Sequence, residues 1–197
     1  SGKTTILKYF SYQVQLELAR EENNNSFTKQ VQKDGGVGIY FRCDESFIKT
    51  FRIIFSMHSH SQWSLVFEHY LELFIVKNLL EIISLMDNSS SFESKILKEL
   101  ALRLSISFTS FNQFREYIYS EIAYIDTFKN NAIFTDEEFK PERIFSIYQI
   151  TTVIIEVLKR FEKRWKNVNV LLLVDEFENL DIELQKMFNT LIKFTKD

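Results

Sequence analysis

Val170-Leu171-Leu172-Leu173-Val174-Asp175-Glu176 is the stretch whose reading decides the fold. An unbroken apolar run of this length, rich in β-branched and leucine side chains, fits a parallel strand buried on both faces. Open α/β sheets bind their ligands beyond the carboxyl ends of the strands. Such a strand therefore delivers Asp175 and Glu176 to a ligand edge. Two acids after an apolar run also fit the start of a capped helix, so the reading needs a second signal.

That signal is Ser1-Gly2-Lys3-Thr4-Thr5, which matches the last positions of the phosphate-binding loop G-x-x-x-x-G-K-[ST]. Each residue type has a physical reason. Gly2 has no side chain to collide with phosphates, and successive backbone N–H groups from Ser1 to Thr5 can cradle an anion at a helix N-terminus. Lys3 offers a mobile positive charge for the β- and γ-phosphates, and Thr4 offers a hydroxyl to Mg²⁺. The sequence opens inside this motif, so its first glycine and the strand before it are expected upstream. Taken together, the two motifs predict ATP and Mg²⁺ as ligands. Ser1, Gly2, Lys3, Thr4 and Thr5 would bind the nucleotide, Thr4 and Asp175 the metal, and Glu176 would be the catalytic acid–base group that polarises the attacking water.

Only four glycines occur, Gly2, Gly35, Gly36 and Gly38. Two rival nucleotide-binding classes fall away on that count. No L-S-G-G-Q-like signature precedes the acidic strand, as transporter-type and chromosome-maintenance-type ATPases require. No glycine follows an aspartate by three positions, as the D-x-x-G of GTPases requires. The 197 residues suffice for one domain with a sizeable core, and 45 % apolar with 26 % charged residues is ordinary for a globular chain. Twenty phenylalanines and eight tyrosines predict an aromatic-rich core. A net charge of −3 gives no overall argument for nucleic acid. Cys43 is the single cysteine, which excludes an intrachain disulfide and suits a reducing, cytoplasmic setting. Leu65 to Met86 is greasy but carries Glu68, Glu72, Lys77 and Glu81, so it reads as a buried helix with no membrane role.

Apolar periodicity predicts one helix from Thr4 to about Glu21, on the stripe Ile6, Leu7, Phe10, Val14 and Leu18. Asn23 to Lys33 reads as a polar loop, and Asp34-Gly35-Gly36 as a turn into a strand, Val37 to Cys43. Phe47 to Phe55 leans to helix. Helices are expected next at Ser64 to Met86, Phe92 to Leu104, Phe111 to Asp126 and through most of Ile144 to Lys166. After the strand ending at Val174, Leu184, Met187 and Phe188 mark a final helix. The order predicts an α/β fold: a P-loop NTPase three-layer sandwich with a parallel sheet, helix-rich. Residues 1–197 would form a partial ATPase domain, lacking its first strand and its sensor and lid regions. A large helical insertion would occupy 56–150.

The chain resembles the AAA+ class, and within it the branch of replication-origin recognition and loading ATPases, which has bacterial relatives. The resemblance rests on Ser1-Gly2-Lys3-Thr4-Thr5, on Gly38-Ile39-Tyr40-Phe41-Arg42-Cys43-Asp44, and most specifically on Leu171-Leu172-Leu173-Val174-Asp175-Glu176-Phe177-Glu178-Asn179-Leu180. It implies a motor or switch that works as a homo- or hetero-oligomer on DNA or a protein complex, with partner-binding regions elsewhere. Ser46 to Ile150 carries none of the motifs on which the resemblance rests. A signalling scaffold of the STAND type, exchanging nucleotide with slow hydrolysis, is the alternative. The region after Asp197 would discriminate them, a winged helix favouring the first and a repeat array the second.

Several lesser features have plain readings. Glu178 fits a helix-start carboxylate better than a second acid. His58-Ser59-His60 and His69 have no cysteine or paired carboxylate in support, so a metal site is disfavoured. Asp34-Gly35-Gly36-Val37-Gly38 precedes a strand, so it is a turn and not a nucleotide loop. Cys43-Asp44 ends a strand at the ligand edge and reads as structural. In the basic run Lys159 to Lys166, Glu156 with Arg160 and Glu162 with Lys166 are spaced for self-pairing on a solvated face.

Overall fold

The computed structural model describes residues 2–21, 26–43, 51, 60–86, 92–131, 134–135, 139–180 and 182–193. The elements are α1 (Gly2–Tyr9), α2 (Tyr12–Glu21), α3 (Phe27–Asp34), β1 (Gly36–Arg42), α4 (His60–Met86), α5 (Glu93–Leu104), α6 (Phe111–Asn131), α7 (Gln149–Phe161), β2 (Asn169–Asp175) and α8 (Ile182–Lys193). Short 3₁₀ turns at Lys163–Trp165 and Phe177–Asn179 flank β2. The chain is helix-rich, with a two-stranded parallel sheet among the described residues.

β1 and β2 pair in parallel from Gly36 opposite Asn169 to Arg42 opposite Asp175, so their carboxyl ends share one edge. The parallel sheet expected from the sequence is met by these two strands, which are direct neighbours. Alternation splits the pair into two faces. Val37, Ile39 and Phe41 point to α4 and α8, where Phe41 meets Phe74 at 5.2 Å and Phe188 at 6.1 Å. Phe188 in turn meets Phe67 at 5.3 Å, and Trp63 stacks on Phe128 at 5.5 Å, so aromatic rings do run through the core. Gly38 and Tyr40 lie on the opposite face, under α1 and the start of α2.

β2 is less enclosed than a strand buried on both faces. Leu171 is 40 % exposed, because β1 is the strand's one described neighbour.

The single helix expected from Thr4 to Glu21 is broken at Phe10-Ser11. The carbonyl of Phe10 accepts from Gly38 N at 2.8 Å, and Ser11 bridges to Gly38 in parallel. A strand donor has taken an oxygen that would otherwise continue the helix. Only glycine allows this approach: a Cβ on Gly38 would stand 2.5 Å from the Phe10 oxygen and 2.3 Å from Leu173 Cδ1.

The loop expected over Asn23 to Lys33 is largely helix α3. Ser26 caps it by accepting from Lys29 N, Phe27 and Val31 bury one face, and Gly35 ends it at φ 67° in the left-handed region. Two apolar residues one turn apart, with good caps, outweigh a polar composition. At the other end of the chain, Ile144 to Lys166 keeps helix over Gln149–Phe161 only. The helix expected at Phe47 to Phe55 falls almost wholly outside the described residues.

α4 packs on α6, α7, α3 and β1. No described helix is long and apolar enough to cross a membrane. The buried polar groups of α4 explain its partners. Glu72, fully buried, accepts from the N–H groups of Tyr148, Ile150 and Thr151 and from the Thr151 hydroxyl, so it caps the amino end of α7. Burial pushes the Glu72 carboxyl up to about 7 against those four hydrogen bonds, which pull it down. His69 Nδ1 accepts from Phe145 N at 3.1 Å. Tyr12 of α2 donates to Glu81 at 2.5 Å and to Asn78, tying α2 to α4.

Candidate functional site

The carboxyl end of β2 gathers side chains from four places in the sequence. Asp175 is buried there and its carboxylate accepts three hydrogen bonds. Oδ1 accepts from the Thr4 hydroxyl at 3.3 Å and from Glu176 N at 3.0 Å; Oδ2 accepts from the Tyr40 hydroxyl at 2.5 Å. Thr4 is half-buried in the first turn of α1 and lies 171 positions from Asp175. Parallel register puts Tyr40 beside Asp175, because Arg42 is the strand partner of Asp175 and Tyr40 lies two residues back on the same face.

The electrostatics follow from these bonds. The Tyr40 hydrogen bond, first, holds the Asp175 carboxyl below its ordinary value, with Glu176 N, Thr4 and the charge of Arg42 acting in the same direction against burial. Burial and the hydrogen bond to the Asp175 carboxylate push the Tyr40 phenol up to about 12. Asp175 therefore stays charged and Tyr40 stays protonated near neutral pH.

Glu176 leaves the strand in the left-handed region, at φ 57°. For a non-glycine residue this is a strained conformation that needs support from its surroundings. Its support is visible. Its N–H is held by Asp175, its carboxylate meets Arg42 Nη2 at 2.6 Å, and Asn179 Nδ2 reaches it at 3.4 Å. Cys43 is buried at the end of β1; its N–H donates to Asp175 O, and its own carbonyl accepts from Asn179. Glu178 is exposed in the 3₁₀ turn.

The predicted site residues divide between the edge itself and its surroundings. Thr4, Asp175 and Glu176 come together at one sheet edge. Gly2, Lys3 and Thr5 lie exposed at the start of α1, next to that edge, and a Cβ on Gly2 would meet nothing within 4 Å. Ser1 lies outside the described residues, as does His58. His69 is not near the edge: it is buried on α4, with Nε2 3.6 Å from Glu121 Oε2. Burial lowers its pKa to about 4. Among the described residues no cluster of three or more His, Cys, Asp or Glu side chains could hold a metal.

Three contributors escaped the sequence reading: Tyr40, Arg42 and Asn179. The first two could have been found by assuming that β1 and β2 pair in parallel, since residues near the carboxyl end of β1 must then face Asp175 and Glu176. The basic run also differs from expectation. Glu156 pairs with Arg103 of α5 and Glu162 with Arg164, instead of Arg160 and Lys166. Glu156 is turned toward α5 by helix packing, and Glu162 caps the 3₁₀ turn through Arg164 N.

A hydroxyl and a carboxylate side by side are the hard oxygen donors that Mg²⁺ takes. Mg²⁺ commonly takes only one or two protein oxygens, with waters and phosphates completing its shell. The donor set present fits that ion.

No curated protein and no solved structure matches this sequence. One family model does, along residues 1–197, and it agrees with the branch that the two terminal motifs resemble. By that match, the chain belongs to the ORC-CDC6-like family.

Proposed function

We propose that the chain binds and hydrolyses ATP as an AAA+-type P-loop ATPase, with the three-layer sandwich of that class around its parallel strands. The observation that carries the reading is the Thr4–Asp175 hydrogen bond, which joins the end of a phosphate-loop motif to the end of an acidic strand across 171 positions. Family membership supports an AAA+ ATPase-related role. Helices on both faces of the β1–β2 pair support the sandwich.

In this reading Ser1 to Thr5 surround the phosphates with backbone N–H groups, and Lys3 neutralises them. The open space beside Gly2 suits an approaching phosphate. Thr4 and Asp175 hold Mg²⁺, which when bound neutralises charge on the phosphate oxygens. Tyr40 keeps the Asp175 carboxylate ionised and aimed. Glu176 accepts a hydrogen bond from the attacking water and takes up its proton as the water oxygen bonds to the γ-phosphorus and the bond from that phosphorus to the β–γ bridging oxygen breaks, its electron pair leaving with ADP. Arg42 and Asn179 hold the Glu176 carboxylate until substrate draws it inward. Residues 56–150 form a helical insertion within the domain, and the assembly acts as an oligomer on DNA or a protein complex.

The test is a titration of fluorescent ATP into the intact protein and its Lys3→Ala variant. Removing the lysine charge deletes the phosphate contact this reading gives it. Tenfold or greater weakening is expected; unchanged affinity would show that these residues do not hold phosphate.

A further inference from the structure

α5 and α7 pack side by side. Lys95 at the start of α5 lies beside Phe161 at the end of α7, and Arg103 near the end of α5 reaches Glu156, so the two helices run antiparallel. Every carboxylate they carry is engaged. Glu93 accepts from Phe111 N at 2.6 Å, Glu99 and Glu156 both accept from Arg103, and Glu162, just past α7, pairs with Arg164. Lys95 and Lys98 of α5, Lys159 and Arg160 of α7, and Lys163 just beyond are exposed and have no carboxylate partner among the described residues. In a chain whose net charge is −3, five such cations on adjoining turns are a local excess of positive charge.

Phe161 holds two of these charges in place without neutralising them. The Lys95 ammonium lies over its ring, 4.6 Å from the centre, and the Arg160 guanidinium lies 5.8 Å from it. The apolar groups that remain open are aliphatic. Leu102, 69 % exposed, follows Lys98 by four positions and Lys95 by seven, so it shares their stripe of α5. Along α7 runs a groove of about 500 Å³, where Ile155 and Val157 lie among Arg103, Glu156, Lys159 and Arg160. Aliphatic contacts set between unneutralised cations complement a peptide that mixes acidic with apolar side chains. Its carboxylates meet the cations while an apolar side chain enters the groove. A phosphate backbone would leave the aliphatic groups unused, and a ring covered by Lys95 offers no base a platform.

We propose that the α5–α7 face docks an acidic, leucine-bearing segment of a partner protein. Lys95, Lys159 and Arg160 meet its carboxylates, and Leu102 and Ile155 meet its apolar side chains. α7 leads into the amino end of β2, so the cationic end of this face lies away from the carboxyl edge that holds Asp175. Nucleotide affinity is therefore an independent readout.

The test is fluorescence anisotropy of three labelled probes with the intact protein over a range of salt: a peptide of Asp-Leu-Glu-Glu repeats, poly-glutamate of equal length, and oligo-dT. The leucine-bearing peptide should bind most tightly, and its affinity should fall as salt rises. The Lys159→Glu/Arg160→Glu variant should bind it about tenfold or more weakly, with a flatter salt dependence. Leu102→Ser, which alters an exposed side chain, should weaken binding about threefold, leave the salt dependence unchanged and narrow the preference for the leucine-bearing peptide over poly-glutamate. Thermal melting and ATP affinity should match wild type in each variant. No binding of the leucine-bearing peptide, equal binding by wild type and both variants, or binding of poly-glutamate or oligo-dT as tightly as that peptide would overturn the proposal.

Discussion

The Arg42 guanidinium lies 2.6 Å from the Glu176 carboxylate, across the carboxyl ends of two parallel strands. Both side chains are partly solvated, so the pair contributes little to stability, about 0–1 kcal/mol. Its consequence is positional: it holds the proposed water-activating acid. Arg42→Ala should leave the melting temperature nearly unchanged and raise basal ATP turnover, by about two- to fivefold if up to 1 kcal/mol is no longer needed to release Glu176. Steady-state phosphate release checks this. A large fall in turnover would mean that Arg42 serves the reaction directly instead of restraining Glu176.

Tyr40 should set the acid limit of the site. Its hydrogen bond is the leading cause of the low Asp175 pKa. A carboxyl depressed in this way keeps its charge above that value and loses it as pH falls through it. In Tyr40→Phe the carboxyl returns toward its ordinary range, so Mg²⁺-dependent nucleotide affinity should fail at a higher pH than in wild type. Affinity titrations at descending pH read the shift. Coincident profiles would remove Tyr40 from the electrostatics of the site.

Gly38→Ala should be the costliest of the glycine substitutions. Its new methyl group meets a backbone oxygen at 2.5 Å that cannot rotate away, and relieving the contact would move α1 off β1. Overpacking of this kind costs about 1–3 kcal/mol. At Gly36 the nearest atom is 3.2 Å away, so Gly36→Ala should cost less. Urea unfolding of the two variants should rank them in that order, and the reverse order would contradict the packing described.

His69 should make stability depend on pH. It is buried neutral with its pKa lowered to about 4 from 6.5, so between those values the unfolded chain binds more protons than the folded one. Stability should therefore fall as pH drops through that window, by roughly 3 kcal/mol if the whole shift is expressed. Buried Glu72, raised to about 7 from 4.5, acts with the opposite sign between those two values, gaining stability as pH falls. Comparing His69→Asn with wild type isolates the histidine. Asparagine can still accept from Phe145 N, and its unfolding profile should lack the acid-side loss. Parallel profiles would show that His69 takes no part.

The sequence made some of this site legible because its signals are local. Leu171 to Glu176 and Gly2 to Thr5 each carry their chemistry within a few consecutive residues. A parallel sheet followed from the apolar strand and its acidic end, but not that β1 and β2 are direct neighbours. Tyr40, Arg42 and Asn179 were not legible, because each acts through a contact whose partner is fixed by register or by a turn. The break at Phe10-Ser11 was hidden for the same reason: its cause is a distant donor, Gly38 N. α3 was missed because a short helix with two buried residues gives little periodicity, while its caps, Ser26 and Gly35, look like loop residues. The pairing of Glu156 followed helix packing, which overrode the i, i+4 spacing.

Single-turnover hydrolysis with parallel ATP titration tests the central claim most directly, on wild type, Glu176→Gln, Asp175→Asn and Glu178→Gln. Glutamine keeps the size of Glu176 but cannot take the proton, and positioned acid–base groups contribute about 10²–10⁴-fold to rate. Glu176→Gln should bind ATP normally and hydrolyse it at least about a hundredfold more slowly. Asp175→Asn should require more Mg²⁺ for binding, because a metal contact loses its charge. Glu178→Gln, altering an exposed side chain, should resemble wild type. Wild-type hydrolysis by Glu176→Gln, with loss in Glu178→Gln, would contradict the account and move the reaction to the other acid.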